Sequence, residues 1–151
     1  MNNIVVIRIT GKQGLTEKIK DTFTLLRLYK KYSCIIVPNK PTYTGMINKV
    51  KDFVTWGEID QPTIQLLLEN RGRMPGKIRL TDSKEINIPG LAKEIFEGKK
   101  TLKDVQGLKP FFNLHPPKGG FEKKGTKKHY SVGGVLGYRK EKINELVHKM
   151  I

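Results

Sequence analysis

The sequence predicts an α+β protein in which residues 1–60 fold as strand-helix-strand-helix-strand, a compact two-layer unit of sheet and helix. Two observations carry this reading. Short β-branched runs, at residues 4–9 and 34–37, alternate with stretches whose apolar residues recur every three or four positions. A third observation separates the rest of the chain. From residue 109 to 139 neither period persists, and lysines are interleaved with glycines and aromatic rings.

The first strand is the run IVVIRI, ended by Gly11. Thr16 is placed as the N-cap of a helix reaching Tyr29, with Ile19, Phe23 and Leu26 on its inner face. The second strand, CIIV, is stopped by Pro38. Thr42 is expected to cap a second helix after Pro41, and Tyr43, Met46, Ile47, Val50 and Val54 follow the i, i+3, i+4, i+7, i+11 pattern. Met46 and Ile47 should therefore face the sheet, and Lys49 should face solvent. Around Phe53 the alternation turns to that of a strand reaching Ile59.

The polarity of this sheet is left open by the residues alone. Asp60 can cap a third helix through Ile64 and Leu68, closed by Gly72. Another runs from Pro89 to Glu97 with Leu91, Ile95 and Phe96 inward, and ends at Gly98. A short turn follows at residues 101–105. Residues 140–151 form an amphipathic helix with Ile143, Leu146, Val147 and Met150 on one face. Residues 1–60 are thus read as the core, and residues 61–151 as a helical extension ending in a basic loop and a helix.

Charge points to the partner. Of 151 residues 29 are Lys or Arg and 14 are Asp or Glu, a formal net charge of +15. Residues 1–50 and 101–151 each carry +7, and residues 51–100 carry +1. Such a chain repels itself and seeks polyanions. No apolar run is long enough to span a membrane, and no lipidation signal or signal-peptide core is present, so a membrane partner and a secreted protein are not expected. The single Cys34 cannot form an internal disulfide, and inside an apolar strand it reads as a packed structural thiol.

Chemistry is absent from the motifs. His115, His129 and His148 lie at no metal-ligand spacing, and no nucleophile elbow, P-loop or zinc-protease helix occurs. No catalytic residue, metal or cofactor is expected. The turn Gly11-Lys12-Gln13-Gly14 could bring backbone N–H groups and one lysine to a phosphate, and reads equally as an ordinary strand-to-helix turn. Residues 109–139 hold six glycines, three prolines, five aromatic residues and seven basic residues against one acid. Lysines there can pair with phosphates while rings stack on bases. With no period to satisfy its backbone, this stretch is expected to need an RNA partner to become ordered.

Several fragments together resemble one family, the universal L-thirty ribosomal proteins of the large subunit, in their longer archaeal and eukaryotic form (L-seven in eukaryotes). They are IVVIRITG at residues 4–11, TLLRLYKKYSCIIVPN at 24–39 and TYTGMINKVKDFVTWGEI at 42–59. The tail adds KPFFNLHPPKGGF at 109–121 and GGVLGYRKEKINELV at 133–147. The resemblance implies a ferredoxin-like core, with a three-stranded antiparallel sheet and two helices on one face. It also implies a structural role in the large subunit of the cytoplasmic ribosome, binding ribosomal RNA near 5S RNA beside other ribosomal proteins, without enzymatic activity.

The candidate RNA-contacting residues fall into three groups. The first comprises Arg8, Lys12, Lys18, Arg27, Lys30 and Lys31. Around the second helix they are Asn39, Lys40, Thr42, Tyr43, Gly45 and Lys49. In the tail they are Lys118, Lys123, Lys124, Lys127, Lys128 and Arg139. A free RNA chaperone is the alternative from another class, and a small-molecule sensor on a similar fold would not require such a charge.

Overall fold

Strand β1 (Asn3–Arg8) is buried along its whole length. In the computed structural model, which describes residues 3–11, 13–74, 78–79, 87–105, 108–121, 123, 125 and 127–151 (for Lys103 the backbone only), it is the middle strand of a five-stranded sheet. Its side chains alternate between two cores. Ile4 and Val6 point into one, while Val5 and Ile7, continued by Ile9, point into the other. β2 (Ser33–Pro38) divides likewise, with Ile35 and Val37 on the first face and Cys34 and Ile36 on the second. Both β2 and β3 (Val54–Glu58) pair with β1 antiparallel, setting Ile4 opposite Val37 and Val6 opposite Trp56. The antiparallel three-stranded core that the resemblance implies is present.

Two helices, α1 (Glu17–Leu25) and α2 (Pro41–Lys49), cover the first face through Phe23 and Ile47. Helix α1 stops four residues short of the expected Tyr29, for a local reason. Arg27 adopts the left-handed region (φ 62°), its N–H donates to Thr24 O at 3.1 Å, and the N–H of Leu28 reaches back to Phe23 O at 2.9 Å. This is a Schellman closure with arginine in the place usually held by glycine, and Leu28 and Phe23 are buried in the same core. Helix α2 begins one residue before Thr42. Lys40 occupies the cap position without a side-chain bond, and Pro41, which needs no N–H partner, starts the first turn. Ile47 is buried, whereas Tyr43 and Met46 are half-buried.

The two core helices thus share one face, as the resemblance implies, and the helical extension covers the second. Helices α3 (Gln61–Arg71), α4 (Ile88–Phe96) and α5 (Ile143–Met150) pack there through Leu67, Ile95 and Val147 among others. Asp60 caps α3 as expected, its carboxylate accepting the Thr63 N–H at 2.9 Å. Phe96, expected inward, is 39% exposed. A small hairpin of β4 (Arg73–Met74) and β5 (Ile78–Arg79) follows α3. All four apolar residues of the α5 stripe are buried. The lead-in to α5 crosses β3 so closely that a Cβ on Gly57 would lie 2.0 Å from the Lys140 carbonyl oxygen, a position open to glycine alone.

The tail departs most from expectation. Its segment β6 (Phe112–Asn113) pairs antiparallel with β2, and β7 (Gly137–Tyr138) pairs parallel with β3, so one aperiodic stretch closes both edges of the sheet. Phe112, Leu114, Val135 and Leu136 are buried in the second core. Ordering is thus supplied by the protein's own edges. Two-residue strands satisfy backbone groups without needing a periodic sequence.

Ile47→Ala is expected to lower unfolding free energy by about 2–5 kcal/mol, the usual range for emptying a buried aliphatic site. Met46→Ala should cost less, because part of Met46 already sits in water. Urea titrations with matching slopes check this order, and a larger loss for Met46→Ala would reverse the face assigned to α2.

Candidate nucleic-acid interface

The connection from α1 to β2 is short, basic and tied down. Lys30 and Lys31 are exposed and Arg27 is half-buried. Beneath them Arg8 is 4% exposed, with Nη1 donating to Leu28 O at 2.7 Å and Nε to Thr10 O at 2.9 Å. Its guanidinium also lies 4.1 Å from the centre of the Phe23 ring. Burial pushes the Arg8 pKa below its ordinary value. Two ring pairs then join this connection to the tail: Tyr29 with Phe111 at 5.3 Å, edge to face, and Tyr32 with Phe121 at 6.0 Å. The Leu114 N–H donates to Tyr32 O at 3.1 Å, and the Lys118 N–H to Lys149 O at 3.0 Å. Exposed Lys118 and Lys123 therefore belong to a docked strap.

A second group lies on α2. Thr42, Gly45 and Lys49 occupy positions i, i+3 and i+7, one exposed stripe, with Asn39 and Lys40 exposed just before the helix. Nothing lies within 4 Å of where a Cβ on Gly45 would sit. Packing does not explain a glycine in mid-helix, where it weakens the helix relative to alanine. Tyr43 and Arg27 line one small groove between α2 and the end of α1. Lys18 is exposed on α1.

The third group is the loop before β7. His129 Nε2 lies 3.1 Å from Asp52 Oδ1, which anchors the loop to the turn after α2. Lys128 O accepts the N–H groups of Val135 and Leu136 at 2.9 and 3.0 Å, while the side chains of Lys127 and Lys128 are exposed. Arg139 is 3% exposed. Its Nε donates to Thr55 Oγ1 at 2.9 Å, its Nη2 donates to Val135 O at 2.7 Å, and its guanidinium lies over Tyr130.

Of the eighteen candidate contacts, Arg8 and Arg139 thus turn inward and serve as multiple donors that hold loops in place. That is a correction to the expectation that both side chains reach phosphate. Lys12 and Lys124 lie outside the described residues. Sequence reading passed over Tyr29, Arg71 and Arg73, which with Lys30, Lys109, Phe111 and Asn113 line one groove of about 430 Å³. The signal available for them was the Arg71-Gly72-Arg73 triplet at the end of α3.

A broad groove of about 1160 Å³ beside Phe96 and Tyr138 is of mixed charge, lined by Glu58, Asp60, Glu141 and Glu145 together with Lys140, Lys142 and His148. The Tyr138 hydroxyl donates to Glu58, and this bond, aided by burial, pushes the phenol pKa up to about 12. Cys34 is buried and burial raises its thiol pKa, as fits a packed structural residue. Among the described residues no cluster of His, Cys, Asp or Glu could hold a metal, and no helix is long and apolar enough to cross a membrane.

Residues 4–54 match the ribosomal protein L30p/L7e family. Over 151 residues the chain is 45% identical to the large ribosomal subunit protein uL30 of Methanococcus maripaludis, covering 97% of each. The chain belongs to the uL30 family. Its relatives of the same name in Nanoarchaeum equitans and Archaeoglobus fulgidus are each 46% identical, covering 97% and 96% of this chain and 97% of each relative. As a uL30 protein it is a structural component of the large ribosomal subunit and not an enzyme. The similarity to these relatives extends over nearly the whole chain, beyond the residues 4–54 that match the family.

Docking of the strap has a direct readout. In the free protein the amides of Leu114, Val135, Leu136 and Arg139, each bonded to a backbone carbonyl, are expected to exchange slowly with deuterium. Exchange of all four at the rate of an unstructured chain would show that the strap is undocked without RNA.

Proposed function

We propose that this chain binds ribosomal RNA of the large subunit through the α1–β2 connection, the exposed stripe of α2 and the tail strap. One observation carries the reading. Nine candidate lysines, at positions 18, 30, 31, 40, 49, 118, 123, 127 and 128, are exposed, and among the described residues none forms an ion pair. Unpaired cations on a fixed frame gain most from a polyanion, whose condensed counterions they release. Phosphate contacts of this kind set position and register, with the rigid core selecting RNA shape.

Gly45 fits the same reading, since open space above a helical glycine admits a close backbone. Placement near 5S RNA, in the cytoplasmic ribosome, is supported by the family resemblance.

If six to ten phosphates are engaged, affinity for a cognate large-subunit RNA fragment should fall about 10³–10⁵-fold between 50 and 200 mM salt. A binding constant nearly independent of salt would exclude the mechanism. Gly45→Ala separates stability from binding. It is expected to raise unfolding free energy by about 0.5–1 kcal/mol through better helix propensity, yet to weaken RNA binding by filling the open approach. Unfolding curves and filter binding on the same variant check both signs, and unchanged binding would remove α2 from the interface.

A further inference from the structure

The groove between the α1–β2 connection, the end of α3 and β6 carries an unbalanced charge. Lys30, Arg71, Arg73 and Lys109 line it, and no acidic side chain is among its described lining residues. Arg73 is fixed by donating from Nη1 to Gly72 O at 3.0 Å and Asn70 O at 3.3 Å. Lys109 is held at the lip because its N–H donates to Arg73 O at 3.0 Å. The Nε of Arg71 is buried and has no hydrogen-bond partner among the described residues. Burial, and after it the neighbouring Arg73, lower the Arg71 pKa.

The remaining lining is aromatic and amide. Tyr29, 43% exposed, meets Phe111 edge to face, offering ring surface beside the cations. Ser33 Oγ donates to Asn113 Oδ1 at 3.3 Å, which orients the amide and leaves its Nδ2 without a partner among the described residues. Rings, one amide donor and four cations thus converge on a volume of about 430 Å³. That volume is at the small-molecule scale, too small for a duplex. An RNA nucleotide combines a flat π-face, polar edges and flanking phosphates, the chemistry these groups match. Four cations exceed what a single free phosphate needs and suit successive backbone phosphates.

We propose that this groove receives one unpaired nucleotide of RNA, its base against Tyr29 and Phe111 and its flanking phosphates on Arg71, Arg73, Lys30 and Lys109. The proposal rests on the RNA-binding reading above and adds a specific site to it.

Two hairpins test it with the full chain: one fully paired, the other carrying a single bulged 2-aminopurine. The bulged hairpin should bind about tenfold more tightly, as expected for one stacked base, and its fluorescence should change on binding. Tyr29→Ala and Arg71→Gln should each weaken binding of the bulged hairpin by a larger factor than binding of the paired one, so that the tenfold preference is largely abolished. Tyr29 is exposed enough for its variant to fold, and thermal melts of both variants verify this. Equal affinity for the two hairpins, or a preference that survives both substitutions, overturns the groove assignment and leaves general RNA binding standing. Failure to bind either hairpin at low salt removes both readings. Displacement of the bulged hairpin by micromolar adenosine monophosphate would make this a free-nucleotide site and overturn the proposal as well.

Discussion

A middle strand that is apolar on both faces governs this structure. β1 places Ile4 and Val6 in one core and Val5 and Ile7 in the other, so neither face of the sheet can meet water. Helices α1 and α2 cover one face. Leaving Val5, Ile7, Ile9 and Ile36 open on the other would forfeit on the order of 6–12 kcal/mol of burial. That is comparable to the whole stability of an ordinary domain. Residues beyond 60 are therefore built into the same core. α3, α4 and α5 supply the second cover, and β6 and β7 close the two edges that a three-stranded sheet would leave unpaired.

The same need for internal ties explains the two buried arginines. Loops around the ends of β1 and β3 present carbonyl groups that no ladder satisfies, and a guanidinium offers five donors in one plane. Arg8 gathers the carbonyls of Thr10, Gly11 and Leu28, and Arg139 gathers the Thr55 hydroxyl and the Val135 carbonyl. Lysine has the charge but not the fork, and would leave most of these carbonyls without a partner. The functional consequence is positional. Because Arg8 fixes the carbonyl of Leu28, the exposed Lys30 and Lys31 begin from a rigid base, and less entropy is lost when they meet phosphates.

How much could be read in advance follows from which signals are local. The β-α-β-α-β order, the Asp60 cap and the α5 stripe depend on neighbours three or four residues away, and all are present in the structure. The end of α1 was missed because Arg27 takes a left-handed conformation with no glycine to announce it. Cover on both faces was legible in principle, since IVVI and CIIV are continuous apolar runs, the mark of a strand buried on both sides. The tail was misread because edge pairing over two residues leaves no periodicity, and Phe112 is recognisable as core only once β2 is seen beside it. Arg8 and Lys31 carry the same charge in a sequence, and only their surroundings show that one holds a turn while the other faces solvent. The Arg71-Gly72-Arg73 triplet lies far along the chain from Lys30 and Phe111, so no local signal could have joined all of them in one groove.

The strap resolves a conflict that net charge alone would create. A chain at +15 gains nothing by folding a lysine-rich segment over a basic core unless its charges point away. Along residues 109–139 the apolar side chains do the docking, with Phe112, Leu114, Val135 and Leu136 buried, while Lys118, Lys123, Lys127 and Lys128 remain exposed. Attraction at short range therefore comes from burial, which salt does not screen. Repulsion acts between exposed lysines through water, where each pair at several ångströms is worth only about 1 kcal/mol or less. Burial outweighs it, so the strap can dock before RNA arrives. Phosphates would then meet cations already in place, and binding would relieve repulsion without first having to order the chain.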